Sequence, residues 1–510
     1  MSHWIIVPIL LPALMAPILL MSARHDIVLA RVFSVASCVA LLALAISLLQ
    51  TAAGGDVLTY ELGNWPAPFG IVLVLDRLSA LMLVLTAGLA LAVLLYALDG
   101  ADRQGRHFHA LYQFQLMGIN GAFLTGDFFN LFVFFEVLLI ASYGLMVHGG
   151  GPARVKAGVQ YVIVNLVGST LFLMAVAMIY SVTGTLNMAD LALRVPEVAA
   201  HDQALLHTGA LLLLLVFAVK AALVPVHFWL PGTYANAPAP VAALFAIMTK
   251  VGAYCIVRLY ILAFGAGAGE SAWLAAPWLL PVALVTLVLG MVGVLAARRL
   301  GQLASFAVIG SMGTLLTAVA LFTPQSLAAA LYYLLHSTLA GAVLFLIADL
   351  VARRRPGQAD GLSVAPRFRQ ASLLGGAFFL AAIAATGMPP LSGFIGKLLI
   401  LEAARPHAAV LWIWALILST SLIAIVGFGR AGSTLFWKSA GESGHFPLEG
   451  ARDSLAHVAV GLLLTGSVAL TVFAGPVSRY LDATASQVFR TDHYIAAVLR
   501  THSPPAGEIE

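Results

Sequence analysis

Apolar residues in this chain do not alternate with polar ones. They come in long, uniform runs separated by short polar clusters. Many runs exceed the roughly 18–20 residues with which an α-helix crosses a ~30 Å hydrocarbon layer. Inside a bilayer every backbone N–H and C=O must be satisfied by the protein itself, which leaves helices and closed barrels. Barrel strands alternate over about 10 residues, and these runs do not. The pattern therefore predicts an all-α polytopic membrane protein. It places fourteen spans at 5–22, 27–50, 71–98, 108–126, 128–147, 157–182, 205–228, 239–263, 273–296, 303–322, 327–351, 371–403, 408–430 and 455–475. The first run lacks the basic n-region and small-residue cleavage site of a signal peptide, so it is read as a retained span. Beyond the last run, Val477, Tyr480, Leu481, Val488, Ile495, Val498 and Leu499 recur at helical spacing. Such a tail lies on the membrane surface or docks a partner subunit.

Composition agrees with this pattern. The 510 residues are 61% hydrophobic and 9% charged, with a mean hydropathy of +0.99. Soluble domains carry about 25% charge, so a soluble enzyme is excluded. The net charge of +4 is read as topogenic charge on cytoplasmic loops, not as a nucleic-acid surface. Lysine and arginine test the span count. One set of alternate loops holds Arg24, Arg31, Arg103, Arg106, Arg154, Lys156, Arg298, Arg299, Arg353, Arg354, Arg355, Arg367, Arg369, Arg430, Lys438 and Arg452; the loop near His227 belongs to it without adding charge. The other side, with both termini, holds Arg77, Arg194, Arg258, Arg405, Arg479, Arg490 and Arg500. Sixteen against seven places the richer set in the cytoplasm and both termini outside an inner (plasma) membrane. Cys38 and Cys255 lie in apolar runs without partners, so neither a disulfide framework nor a metal site follows.

Three of the five lysines remain, and all three fall inside apolar spans: Lys220, Lys250 and Lys397. Glu136 sits near the middle of the fifth span, in FNLFVFFEVLLIASYG. One such charge costs roughly 2.5–3.5 kcal/mol on insertion scales, and four cost on the order of 10 kcal/mol unless they pair or reach water. A set of helix-bundling salt bridges would account for them, but intramembrane ionisable groups mark ion paths by default. Burial disfavours an ammonium in general and a nearby carboxylate favours it. A lysine between those influences loads and releases a proton near neutral pH. Glu136 and Lys220 are the expected carboxylate–lysine pair. His336 lies mid-span in ALYYLLHSTLAGAVLFL, where an imidazole suits a relay and Tyr332, Tyr333, Ser337 and Thr338 are positioned to hold water. Thr249 stands beside Lys250. Glu402 and Asp349, at span ends, are either exits to solvent or ordinary interfacial residues. No compact cluster of carboxylates and carbonyls marks a sodium site.

Two spans are interrupted. The seventh reads VFAVKAALVPVHFWLPGTYANAPAPVAALF and the twelfth LAAIAATGMPPLSGFIGKLLILEA. Pro225 in one, and Gly387, Pro389 and Pro390 in the other, break the helical hydrogen-bond ladder. Broken backbone is tolerated in a membrane where it is buried or lines a cavity. Lys220 precedes its break and Lys397 follows its own, the reversal expected of an inverted repeat. Matched broken spans in two halves point to a transport site.

These segments resemble a known family. GDFFNLFVFFEVLLIASYGLM, FAVKAALVPVHFWLPGTYANAPAPVAALFAIMTKVGAY and GMPPLSGFIGKLLILEA are similar to the D subunits of multisubunit Mrp-type (Mnh, Pha) cation/proton antiporters, over nearly the whole chain. The same pattern runs through the antiporter-like subunits of respiratory complex I and membrane-bound hydrogenases. The resemblance implies two inverted five-helix repeats with helices 7 and 12 broken. That divides the chain into 1–107, 108–263, 264–438 and 439–510. It also implies a proton relay through Glu136, Lys220, Lys250, His336 and Lys397. A lysine at 397, where the M subunit of complex I has glutamate, leaves the antiporter's D subunit or the L and N subunits of complex I; the length is short for L, and the wording FFNLFVFFE favours D over N. A hetero-oligomeric membrane complex exchanging sodium or potassium for protons is implied, with no flavin, quinone or nucleotide site in this chain. A redox-driven pump module and a non-conducting scaffold are the alternatives. Neighbouring genes discriminate the first, and a scaffold has no use for the lysines.

Overall fold

A computed structural model describes residues 2–21, 26–355, 357–438 and 453–500. Arg24 and Arg452 of the loop charge count lie outside the described residues, as does most of the polar loop 439–453. The described chain opens with α1 (Val7–Met21) and α2 (Ile27–Ala52), then a hairpin of β1 (Leu58–Glu61) and β2 (Val72–Leu75). There follow α3 (Arg77–Ala97), α4 (Phe108–Leu124), α5 (Phe128–Met146), α6 (Pro152–Thr183), α7 (Met188–Arg194), α8 (Gln203–Ala221), α9 (Trp229–Asn236) and α10 (Ala239–Leu262). The second half runs α11 (Ala276–Ala296), α12 (Leu300–Val319), α13 (Pro324–Arg353), α14 (Ala371–Thr386), α15 (Ser392–Ala403), α16 (Val410–Gly432), α17 (Ser454–Val472), α18 (Ala474–Phe489) and α19 (Thr491–Leu499). Eleven of the described helical segments are long and apolar enough to cross a membrane, and α1 and α14 are shorter apolar helices.

Local chemistry explains the boundaries. Asp26, Asp76, Asp127 and Thr323 accept backbone N–H bonds at the starts of α2, α3, α5 and α13, satisfying donors that a helix start leaves open. The third span starts at Arg77 instead of 71, because Val72–Leu75 pairs with Leu58–Glu61 as an antiparallel hairpin. A short apolar run of four residues fits a strand as well as an apolar helix end. The seventh span does not stop at 228. α8 ends at Ala221, the chain crosses a break holding Pro225 and His227, and α9 carries the helix on to Asn236. His227 therefore sits in the break and not in a loop between spans.

Packing decides which helix is central. α10 is buried along its whole length and α12 and α13 nearly so, whereas α2, α16 and α17 leave most of their apolar surface uncovered. α11 and α12 meet backbone to backbone. A side chain on Gly290 would collide with Gly310, and one on Gly313 with Leu287. Small residues at such contacts bring helices close where lipid offers no hydrophobic drive.

The two ends of the bundle are distinct. Gln104, Arg154, Asn236, Arg299, Asp349 and Arg353 come from alternate connections and line one cavity of about 380 Å³. The arginine-rich loops thus share one end. On that end Asp102 receives Arg31 at 2.7 Å and His109 at 3.2 Å. Burial opposes ionisation of Asp102, but the bonds from His109 and Arg31 outweigh it and hold its carboxyl at about 2. The opposite end carries the β-hairpin, α7 and the C-terminal helices. The tail's helical spacing holds, and much of its apolar face packs against this chain. Leu481, Val488, Tyr494 and Val498 are buried against this chain. Gln487 bonds to Gly55 and Arg77, and Arg500 pairs with Glu61 at 2.9 Å. Periodicity shows that a face exists but not what covers it.

Candidate ion-translocation site

The helices that carry Glu136, Lys220, Lys250, His336 and Lys397 pack in sequence through the bundle: α5 on α6, α6 on α8, α8 on α10, α10 on α13, α13 on α15 and α15 on α16. Glu136 is half-buried and Lys220, Lys250, His336 and Lys397 are buried.

The expected Glu136–Lys220 pair is not direct. Ser169 Oγ on α6 donates to Glu136 Oε1. One turn away on the same helix, Asn165 Oδ1 accepts the Lys220 ammonium at 2.9 Å. Lys220 Nζ also stands 5.5 Å from the centre of the Phe135 ring. Asn165 is fixed by its own bond to Tyr161 O at 2.9 Å, and Tyr161 meets Ser142 at 2.9 Å. α6 therefore stands between carboxylate and lysine and binds both. Sequence reasoning missed Asn165 and Ser169, although Tyr161, Asn165 and Ser169 form a polar stripe at four-residue spacing in an apolar helix. We expect Ser169→Ala to slow proton movement about tenfold in assembled protein and Ser169→Thr to restore it. A bond to a charged group is worth about 1.5–3 kcal/mol. Unchanged transport in Ser169→Ala would remove the hydroxyl from the path.

Lys250 is fully buried, and among the described residues its single bond goes to Thr249 Oγ1 at 3.5 Å. Nearby, Gly252 lets α8 approach: a side chain there would lie 2.7 Å from Ala221 N and 2.9 Å from Phe217 O. His336 Nδ1 bonds to Ser392 Oγ at 2.9 Å, at the first residue of α15. The Tyr333 ring lies 5.6 Å from the His336 ring, and the hydroxyls of Tyr332, Ser337 and Thr338 donate to the backbone carbonyls of Leu470 and Leu334.

Lys397 Nζ donates to Thr386 O and Ser421 Oγ, both at 2.7 Å. Thr386 ends α14, so its carbonyl is among those a helix terminus leaves open and lies at the negative end of the dipole. Lys220 is the penultimate residue of α8. Each break thus has a lysine beside the C-terminal turn of its leading half-helix. Gly387 makes this possible: it sits at φ +79°, and a side chain would lie 2.7 Å from Lys397 Cδ.

Among the described residues, none of Lys220, Lys250 and Lys397 has a carboxylate within salt-bridge reach, while eight arginines do. Helix-bundling ion pairs are therefore not what the buried lysines form. Asp349 borders the 380 Å³ cavity and bonds Tyr96 at 2.6 Å and Arg353 at 2.5 Å. Glu402 pairs with its neighbour Arg405 at 3.2 Å. Among the described residues no three His, Cys, Asp or Glu side chains gather as metal ligands.

A polytopic helical bundle threaded by unpaired ionisable groups beside two helix breaks defines an ion-transport protein of the membrane. The chain belongs to the family described as "NADH:quinone oxidoreductase/Mrp antiporter, TM", which matches residues 125–424. It is 42% identical to the D subunit of a probable K(+)/H(+) antiporter of Rhizobium meliloti, over 99% of each chain. It is 37% identical to the D subunit of the Na(+)/H(+) antiporter of Bacillus subtilis, over 98% of this chain and all of that one. Its fold matches a chain of the Mrp complex from a Dietzia species with a TM-score of 0.86 and 28% identity, over 98% of this chain and 100% of the other.

Proposed function

We propose that this chain is the proton-translocating membrane subunit of a multisubunit sodium (or potassium)/proton antiporter in the plasma membrane, assembled with different subunits. Counting α8–α9 and α14–α15 as one broken span each makes fourteen spans. α4 to α10 form the first five-span repeat (108–263) and α11 to α16 the inverted second (264–438), after three leading spans (1–107) and before the last span and tail (439–510). Each repeat then has its break in the fourth span. The arginine-rich end faces the cytoplasm and both termini lie outside.

Protons move along Glu136, Lys220, Lys250, His336 and Lys397, with Ser169 and Asn165 coupling the first two. The observation that carries this reading is that all three buried lysines are held by neutral acceptors. A carboxylate contact locks the ammonium in place. An amide, a hydroxyl or a carbonyl accepts from ammonium and amine alike, so each lysine is free to lose and regain its proton.

The test is exchange by the purified complex in vesicles with sodium, potassium and lithium in turn. Proton movement is expected with sodium or potassium, and a complex inert to all three under an imposed gradient overturns the antiport assignment. Lys397→Ala is expected to slow exchange at least tenfold, because it removes one carrier and leaves Thr386 O and Ser421 without it. Arg490→Ala, exposed between α18 and α19, is expected to be silent. Equal damage from both would mean that general destabilisation is being measured.

A further inference from the structure

Lys250, Tyr254 and Arg258 follow one another at four-residue spacing on α10, so they share one face. Lys250 and Arg258 are about 12 Å apart along the axis. All three are buried. The relay uses Lys250 and leaves the other two without a role. Arg258 lies toward the end of the bundle that carries the β-hairpin. There its Nη1 meets Asp76 Oδ2 at 2.6 Å. Asp76 also caps α3, accepting Ser79 N–H at 2.8 Å. Arg258 Nη2 donates to the Tyr254 hydroxyl at 3.2 Å, and that hydroxyl donates to Phe123 O at 2.6 Å. The guanidinium lies between two rings, 5.4 Å from the centre of Tyr254 and 5.1 Å from that of Tyr494 on α19.

The Tyr494 hydroxyl is buried and, among the described residues, has no hydrogen-bond partner. A buried hydroxyl without a partner is costly, and a polar site of this kind is where water enters. A purely structural pin raises a further difficulty, since hydrocarbon of similar volume often serves as well as a buried ion pair or better.

We propose that Asp76, Arg258 and Tyr494 form the outward gate of the proton path, opening onto Lys250. The proposal rests on the relay reading above. In the closed state Arg258 holds the Asp76 carboxylate. A proton arriving from the outer face neutralises that carboxylate and frees the guanidinium, which remains against the two tyrosine rings. Water anchored on the Tyr494 hydroxyl then reaches the face below. The Asp76 proton passes through it to the amine of Lys250, which becomes the ammonium, and Asp76 recovers its charge and recaptures Arg258. One proton enters and one positive charge is gained at Lys250. Arg258 keeps its own proton throughout, as guanidinium does, and its fixed charge repels sodium and potassium from the same opening.

The test uses the assembled complex in vesicles. Asp76→Asn combined with Arg258→Met removes both charges, while Asn keeps the α3 cap. Exchange is expected to fall at least tenfold in this double variant; normal exchange by the assembled variant overturns the gate. Tyr494→Phe removes a hydroxyl that makes no bond among the described residues, so a structural role predicts no change, whereas the gate predicts exchange about threefold slower. It decides the matter if the double variant does not assemble, and wild-type exchange by Tyr494→Phe then overturns the proposal. Lys220→Arg is measured in parallel. If it exchanges normally, the relay reading itself fails. If it is inactive while both gate variants behave as wild type, only the gate falls.

Discussion

Lys220→Arg is expected to abolish exchange as completely as Lys220→Ala, by about a hundredfold or more, in complexes that assemble normally. Three readings of Lys220 make different predictions here. If it were a structural pin, arginine would keep the positive charge and the donor to Asn165, and activity would survive. If it were an electrostatic attractor for metal cations, arginine would again serve. If it loads and releases a proton, arginine fails, because guanidinium does not deprotonate in proteins. The geometry favours the third. Lys220 Nζ is bonded to the neutral Asn165 at 2.9 Å, with Glu136 reached through α6 and not by contact. Assembly is expected to survive Lys220→Ala because the change removes a buried charge that has no ion pair. The cost of stranding a charged partner, which makes broken buried salt bridges so destabilising, does not arise. Normal exchange by an assembled Lys220→Arg complex would end the proton-carrier assignment.

Gly393→Ala is expected to lower both the thermal stability of the complex and its exchange rate, the latter by tenfold or more. Gly393 is the second residue of α15, immediately after the twelfth-span break. A side chain there would overlap the Ala384 carbonyl and lie 2.9 Å from His336 Nε2. The carbonyl belongs to α14 and cannot give way cheaply, so the start of α15 must shift and take Ser392 with it. Ser392 is the hydrogen-bond partner of His336 at 2.9 Å. Overpacking of this kind costs about 1–3 kcal/mol. Gly376→Ala is the matched control: it lies on an exposed face of α14, and among the described residues nothing is near its added methyl. A melting temperature and an exchange rate for each variant check the claim. Equal behaviour of the two would show that the α14–α15 approach does not hold His336 in place.

Much of this could be read in the residues because a bilayer imposes simple rules. Span positions follow from run length, and the expected runs fall on described helices, with ends shifted where local pairing won. The hairpin Val72–Leu75 moved one boundary and the α9 segment extended another. The five ionisable residues stood out because each is an exception in an apolar context. Their partners did not. Asn165, Ser169, Ser392 and Ser421 are ordinary polar residues, and nothing in their one-dimensional setting says which neighbour they face.

The sequence by itself determined that this chain spans a membrane many times, that its positive charge collects on alternate loops, and that a few ionisable groups and two helix breaks lie where lipid would forbid them. Each conclusion rests on a cost that is local: an unsatisfied backbone group, a charge in hydrocarbon, a proline in a helix. Only the tertiary structure decided that α10 and α13 lie at the centre while α16 and α17 lie outside. Lipid is as apolar as a protein core, so hydropathy ranks the two alike. It also decided that Glu136 reaches Lys220 through α6, and that α18 and α19 cover the end of this chain's own bundle that carries the β-hairpin. Those are distances between helices, set by which small residues let backbones approach, and no spacing along the chain encodes them.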